Sequence, residues 1–159
     1  MKRLILVPNS QVEIEVPAGY QYIIDENSSV FTKCDSRIFY KYGLNKKEKK
    51  SKKISVKSFD LVKDSTFAEM FKDFERKIKD LSLTRNQIAK YCQKNKKKLN
   101  GIRNFFLLKK RRWIFWKEYF VAVVDVYPSG LFVDVYRLED DDIWGVGLHL
   151  RLVIPQLKN

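Results

Sequence analysis

Apolar and polar residues alternate at both ends of this chain and recur at helical spacing in its middle. Val12, Ile14 and Val16 are separated by Glu13 and Glu15, the period-2 pattern of a half-buried strand. Leu4-Ile5-Leu6-Val7 precedes it as a short apolar run closed by Pro8-Asn9-Ser10. Pro17-Ala18-Gly19 turns the chain, Tyr20 to Ile24 reads as another strand, and Asp25 to Ser28 as another turn. Val30 to Lys33 and Arg37 to Tyr42 extend this meander, and Val56 to Val62 adds a short strand. Near the C-terminus, Phe120–Tyr127 and Leu131–Leu138 flank the hairpin turn Pro128-Ser129-Gly130. Val146, Leu148, Leu150, Leu152 and Ile154 then alternate with Gly147, His149, Arg151 and Val153, a strand with one face on a core.

Two helices lie between these strand regions, each opened by a capping box. In Thr66-Phe67-Ala68-Glu69, hydroxyl and carboxylate satisfy amides of the first turn, and Thr84-Arg85-Asn86-Gln87 repeats the device. Phe67, Met70, Phe71, Phe74, Ile78 and Leu81 form one apolar stripe after the first box. Leu83 and Ile88 form a hydrophobic staple at the second, whose helix carries Ala89, Cys92 and Leu99 until Asn100-Gly101 breaks it. Residues 102–109 fit a third helix or a strand, because Phe105-Phe106-Leu107-Leu108 has neither period. Together these elements predict one α+β domain over residues 1–159. Its expected sheet is mostly antiparallel, built from N- and C-terminal strands, with two or three central helices packed on one face.

Composition agrees with a folded domain: 45% hydrophobic, 14% aromatic, six Gly and four Pro exclude general disorder. Cys34 and Cys92 form no zinc pattern and read as reduced thiols. No apolar run approaches the ~20 residues that span a bilayer, and Met1-Lys2-Arg3 precedes only a short apolar segment, not a signal peptide. These features predict no membrane partner and a cytoplasmic location.

Charge changes the picture more. The net charge is +13, yet residues 33–117 hold 27 Lys+Arg against 8 Asp+Glu, and the remainder 5 against 11. Residues 81–117 hold twelve cations and no carboxylate, interleaved with aromatic rings. Residues 45–53 form a lysine-rich loop with no apolar residue. Uncompensated cations attract polyanions, and rings can stack on bases. Lys90, Lys94, Lys96, Lys97, Lys98, Arg103, Lys109, Lys110, Arg111 and Arg112 are therefore the expected contacts to DNA or RNA phosphates.

Four constellations bear on finer chemistry. Ile88, Ala89, Cys92, Leu99 and Ile102 fit apolar positions of a helix-turn-helix, but Gln93 replaces its turn glycine and Lys94 a buried aliphatic. Lys109 to Lys117 sets cations beside Trp113, Phe115 and Trp116, suited either to single strands or to a core strand with cationic flanks. With Ser129-Gly130 at the hairpin tip, Asp125 would face Asp134, requiring a cation between them: a divalent metal, as in a nuclease, or a Lys or Arg. His149 reads as a strand histidine with a structural hydrogen bond, since no nucleophile stands in a recognisable context.

Val12-Glu13-Ile14-Glu15-Val16-Pro17-Ala18-Gly19-Tyr20, with Asp25-Glu26-Asn27-Ser28-Ser29-Val30-Phe31 after it, resembles the opening of small phage and prophage proteins. The resemblance covers about a fifth of the chain, uses generic turn chemistry and implies a mobile-element origin without implying an activity. It places the expected cytoplasm in a bacterial or infected host cell. The expected function is non-enzymatic nucleic-acid binding, with no catalytic residue, metal or cofactor. The alternatives are docking on an acidic protein surface and a metal-dependent nuclease using Asp125 and Asp134.

Overall fold

The segment that hydropathy leaves undecided is the middle of the fold. Phe105, Phe106, Leu107 and Leu108 are all buried, Phe105 and Leu107 in one core, Phe106 and Leu108 in another. A strand covered on both faces needs apolar side chains on both, so its sequence carries no alternation. The computed structural model describes residues 2–17, 30–34, 36–48, 50–111 and 117–156, without the side chains of 36, 38, 110, 111 and 117. The strand expected at 20–24, the turn at 25–28, Arg112, Trp113, Phe115 and Trp116 lie outside the described residues.

In chain order the elements are β1 (Leu4–Leu6), β2 (Val12–Ile14), β3 (Lys33–Cys34), α1 (Ser36–Lys41), β4 (Ile54–Leu61), α2 (Phe67–Lys72), α3 (Arg85–Lys94), α4 (Lys96–Leu99), β5 (Arg103–Arg111), β6 (Lys117–Tyr127), β7 (Gly130–Arg137) and β8 (Leu150–Pro155). Among the described residues, eight strands make one sheet in the order β1-β4-β8-β5-β6-β7-β3, with β2 also on β4. The fold is α+β, as expected, but the sheet is mixed rather than mostly antiparallel. β8 lies parallel to β5, and β3 parallel to β7. The cause is a crossover: after β7 the chain returns across one face of the sheet and re-enters beside β5, with Leu150 opposite Arg103.

The helices do not share one face. Ile88, Ala89, Tyr91, Cys92 and Leu99 of α3 and α4, with Phe39 of α1, pack into the core beneath Phe106 and Leu108. Phe67, Met70 and Phe71 of α2 pack with Leu81 and Trp144 into the core beneath Phe105 and Leu107. Because β5 and β8 are apolar on both sides, both faces must be covered. Phe74, Ile78 and Leu81 join α2 on its face, but not as one helix. Asp73 caps α2, Glu75 takes φ 51°, and a separate 3-10 helix spans Ile78–Leu81.

Both capping boxes form. Thr66 Oγ1 accepts from Glu69 N at 3.3 Å and Glu69 Oε2 from Thr66 N at 3.0 Å. Thr84 Oγ1 accepts from Gln87 N at 3.1 Å and Gln87 Oε1 from Thr84 N at 2.9 Å. The segment from Arg37, expected as strand, is helical. Gly43 at φ 62° closes it, with Gly43 N donating to Tyr40 O and Leu44 N to Phe39 O, while Phe39 and Leu44 are both buried. That pair of hydrogen bonds is a Schellman stop, which glycine makes accessible. The last strand is shorter than expected: Val146–Leu148 is a 3-10 helix and His149 has φ 50°. Leu152, Val153 and Ile154 are all buried, on alternate faces.

The hairpin turns on Pro128 and Ser129, with Tyr127 opposite Gly130, Asp125 opposite Phe132 and Val123 opposite Asp134. Asp125 and Asp134 therefore do not face each other, contrary to the register taken from a Ser129-Gly130 tip. Gly130 has φ 134°, and a Cβ there would collide with Thr32, whose amide donates to Leu131 O at 2.9 Å. Gly130→Ala should cost about 1–3 kcal/mol through backbone strain and displacement of Thr32. The thermal midpoint should fall by several degrees, at roughly 2–4 °C per kcal/mol. An unchanged midpoint in a calorimetric scan would contradict this packing.

Candidate nucleic-acid interface

One glutamate organises the lysine-rich loop. Glu48 Oε1 accepts from Arg85 N at 2.9 Å and from Arg85 Nε at 3.1 Å, and Glu48 Oε2 accepts from Asn86 N at 2.9 Å. The carboxylate thus caps two first-turn amides of α3, where the helix dipole favours an anion. Arg85 donates onward to the carbonyls of Gly43 at 3.2 Å and Lys46 at 2.9 Å. Gln87 Nε2 donates to Lys52 O at 2.8 Å, and buried Ser51 shares a 2.7 Å hydroxyl bond with Thr84. The loop is pinned by its backbone to the start of α3, and Lys46, Lys47, Lys50 and Lys52 are exposed around it.

At the other end of α3 stand Lys94 and, on the single turn of α4, Lys96, Lys97 and Lys98, all exposed. Lys90 lies between, half-buried, with Nζ 3.4 Å from Gln93 Oε1. A ten-residue helix rises about 15 Å, so α3 joins the two lysine clusters into one ridge. Exposed Arg37 and Lys41 of α1 belong to the same layer.

Counted along the sequence, the segments of this layer hold the whole net charge. Residues 36–53 and 84–100 together carry fourteen Lys and Arg against one carboxylate, Glu48, a net of +13. The rest of the chain balances, eighteen cations against eighteen carboxylates. Glu48 itself is turned onto α3. Lys53, at the end of the loop, is 2.9 Å from Glu13, and that hydrogen bond and charge hold its ammonium above the ordinary pKa. On the opposite side, Lys72 of α2 is accompanied by Glu69, Asp73 and Asp80.

The cations expected as one contact segment are therefore divided. Lys90, Lys94, Lys96, Lys97 and Lys98 come together. Arg103 projects to the α2 side of the sheet, where its Nε lies 3.0 and 3.1 Å from the Asp125 oxygens and its guanidinium carbon 5.6 Å from the centre of the Trp144 ring. Burial opposes its charge, but the bond to Asp125 outweighs this and raises its pKa. Exposed Lys109 lies six residues along β5 from Arg103, about 20 Å away. The backbone of Lys110 and Arg111 continues β5 beside Glu118 and Lys117, and Arg112 is outside the described residues.

The geometry bears on several finer expectations. α4 is one turn, and the chain enters β5 four residues later, so no second helix long enough to lie in a major groove follows α3. The cation beside Asp125 is Arg103, not a required metal. Among the described residues no cluster of three or more His, Cys, Asp or Glu is suited to a metal ion. His149 is exposed just before β8, and its carbonyl accepts from Arg103 N at 3.1 Å. Burial pushes the Cys92 thiol well above its ordinary pKa, which makes it a packing residue rather than a nucleophile. No described helix is long and apolar enough to cross a membrane. The chain matches no protein-family model, no curated protein and no solved structure.

Sequence reasoning identified the loop lysines as charge but not as neighbours of α3, because Glu48 and Arg85 meet across 37 residues. Tyr127 is exposed at the hairpin. Glu48→Ala should remove a cap and leave the partly buried Arg85 without its carboxylate, at a cost of about 1 kcal/mol. Limited trypsin digestion should then cut faster at Lys46–Lys52, with cutting at Lys94–Lys98 unchanged. Equal rates for variant and parent would contradict the pinning.

Proposed function

We propose that this protein binds nucleic acid through the cationic layer of α1, the 45–53 loop, α3 and α4. The observation that carries the reading is the gathering of exposed Lys46, Lys47, Lys50 and Lys52 at one end of α3 and of Lys94, Lys96, Lys97 and Lys98 at the other. An anionic partner meets one attractive face, and a polyanion gains most because each neutralised phosphate releases condensed counterions. The roughly 15 Å of α3 alone spans about four phosphates per strand along B-form DNA. With no groove-entering helix after α3, recognition is of the backbone rather than of a base sequence. Lys94, Lys96, Lys97 and Lys98 form one end of the contact, and Lys46, Lys47, Lys50 and Lys52 the other.

A salt titration with fluorescently labelled DNA and RNA tests this. Affinity should fall linearly on logarithmic axes as salt rises. Replacing Lys96, Lys97 and Lys98 together by Gln should weaken binding and reduce that slope by about 2–3, at roughly 0.7–0.9 per lost phosphate contact. Lys72→Gln, on the α2 side, should leave both unchanged. Absence of binding at low salt would overturn the proposal. Retention of an acidic protein after nuclease treatment would then assign the same lysines to a protein partner.

A further inference from the structure

We propose that Tyr127 is a stacking platform for an unpaired base, so that the protein prefers single-stranded to duplex nucleic acid. This rests on the nucleic-acid reading above and names its substrate class. Where α4 packs against β6, Lys96, Lys97, Asn100, Val126, Tyr127 and Pro128 line an open groove of about 560 Å3. That lies within the roughly 300–1,000 Å3 of small-molecule clefts. Its lining combines apolar Val126, Tyr127 and Pro128 with cationic Lys96 and Lys97, a pairing that suits a nucleotide better than a purely apolar or purely charged ligand.

Tyr127 is 45% exposed, unusual beside the buried Phe105, Phe106 and Phe120 of the same sheet. Its ring is nevertheless held in place: Phe132 lies 4.5 Å away, centre to centre, tilted by 34°. Lys33 Nζ in turn lies 5.5 Å from the centre of Phe132. A ring fixed by a neighbour loses little freedom on stacking. Base–aromatic stacking beside a cationic track is the means by which proteins hold single strands without reading sequence.

The neighbouring charges set the side of Tyr127 that attracts phosphate. Beyond Tyr127, a second groove of about 240 Å3 contains Arg103 and Asp125, which neutralise each other. Net attraction for phosphate is therefore on the Lys96 and Lys97 side of the groove. A duplex would contact those lysines equally well, but its bases are stacked internally and present no free face to Tyr127. Discrimination between single strand and duplex then comes from Tyr127, and general affinity from the lysines.

Anisotropy titrations of Tyr127→Leu and Tyr127→Phe, with single-stranded and duplex DNA and RNA at one salt concentration, test the assignment. Tyr127→Leu should lose about tenfold or more in single-strand affinity and none for duplex, whereas Tyr127→Phe should retain both. Thermal midpoints close to the parent's would show that Phe132 keeps its packing. Equal single-strand affinity for Tyr127→Leu and parent would overturn the inference, as would an equal loss on duplex. The lysine-to-glutamine variant separates the two readings. If it weakens single strand and duplex alike while Tyr127→Leu weakens neither, only the stacking role fails. If neither change matters, the nucleic-acid reading fails with it.

Discussion

Burial of β5 on both faces governs the rest of this structure. Phe105 and Leu107 cannot leave water unless one layer covers them, and Phe106 and Leu108 require a second layer on the other side. The sheet interior then has no place for charge, so ionisable groups are driven onto the covering layers and the strand ends. The two layers receive very different shares. The α2 layer mixes Lys72, Lys77 and Lys79 with Glu69, Asp73 and Asp80, while the described cations of the α3 layer far outnumber its carboxylates, Glu48 and the Glu13 that meets Lys53. The electrostatic asymmetry is thus a consequence of layer architecture combined with where each charge lies in sequence.

Self-repulsion within a +13 layer works against folding, and the structure offsets it locally. Glu48 is placed against Arg85 and two helix amides, the most effective position for a single carboxylate because it meets a charge and a dipole together. Backbone carbonyls of Gly43 and Lys46 take two further Arg85 donors. The loop is held by its backbone and by one acid, which leaves the lysine ammoniums to face outward. An anchored loop loses less freedom when a partner binds than an unrestrained one would, so its charges act at lower entropic cost.

Local chemistry was legible and long-range chemistry was not. The boxes at Thr66 and Thr84 could be read because donor and acceptor lie three residues apart. The apolar face of the hairpin could be read because Ala122, Val124, Leu131, Val133 and Val135 alternate cleanly. The register slipped because Pro128-Ser129, not Ser129-Gly130, occupies the tip, and a one-residue shift of the tip moves every cross-strand pair. The parallel pairing of β5 and β8 leaves no local mark, and double burial erases the alternation by which each strand would be recognised. For the site, the linear run of cations joined Arg103 and Lys109 to the α4 lysines, whereas Arg103 is taken up by Asp125 and β5 carries Lys109 about 20 Å further on. The unifying element is α3, whose two ends collect lysines from segments distant in sequence.

Lysine acetylation footprinting by mass spectrometry, with and without a bound single-stranded oligonucleotide, tests the central claim most directly. The claim requires protection of Lys46, Lys47, Lys50, Lys52, Lys94, Lys96, Lys97 and Lys98, with Lys72, Lys77 and Lys79 of the α2 layer modified at unchanged rates. Protection spread evenly over both layers, or concentrated on the α2 side, would contradict it.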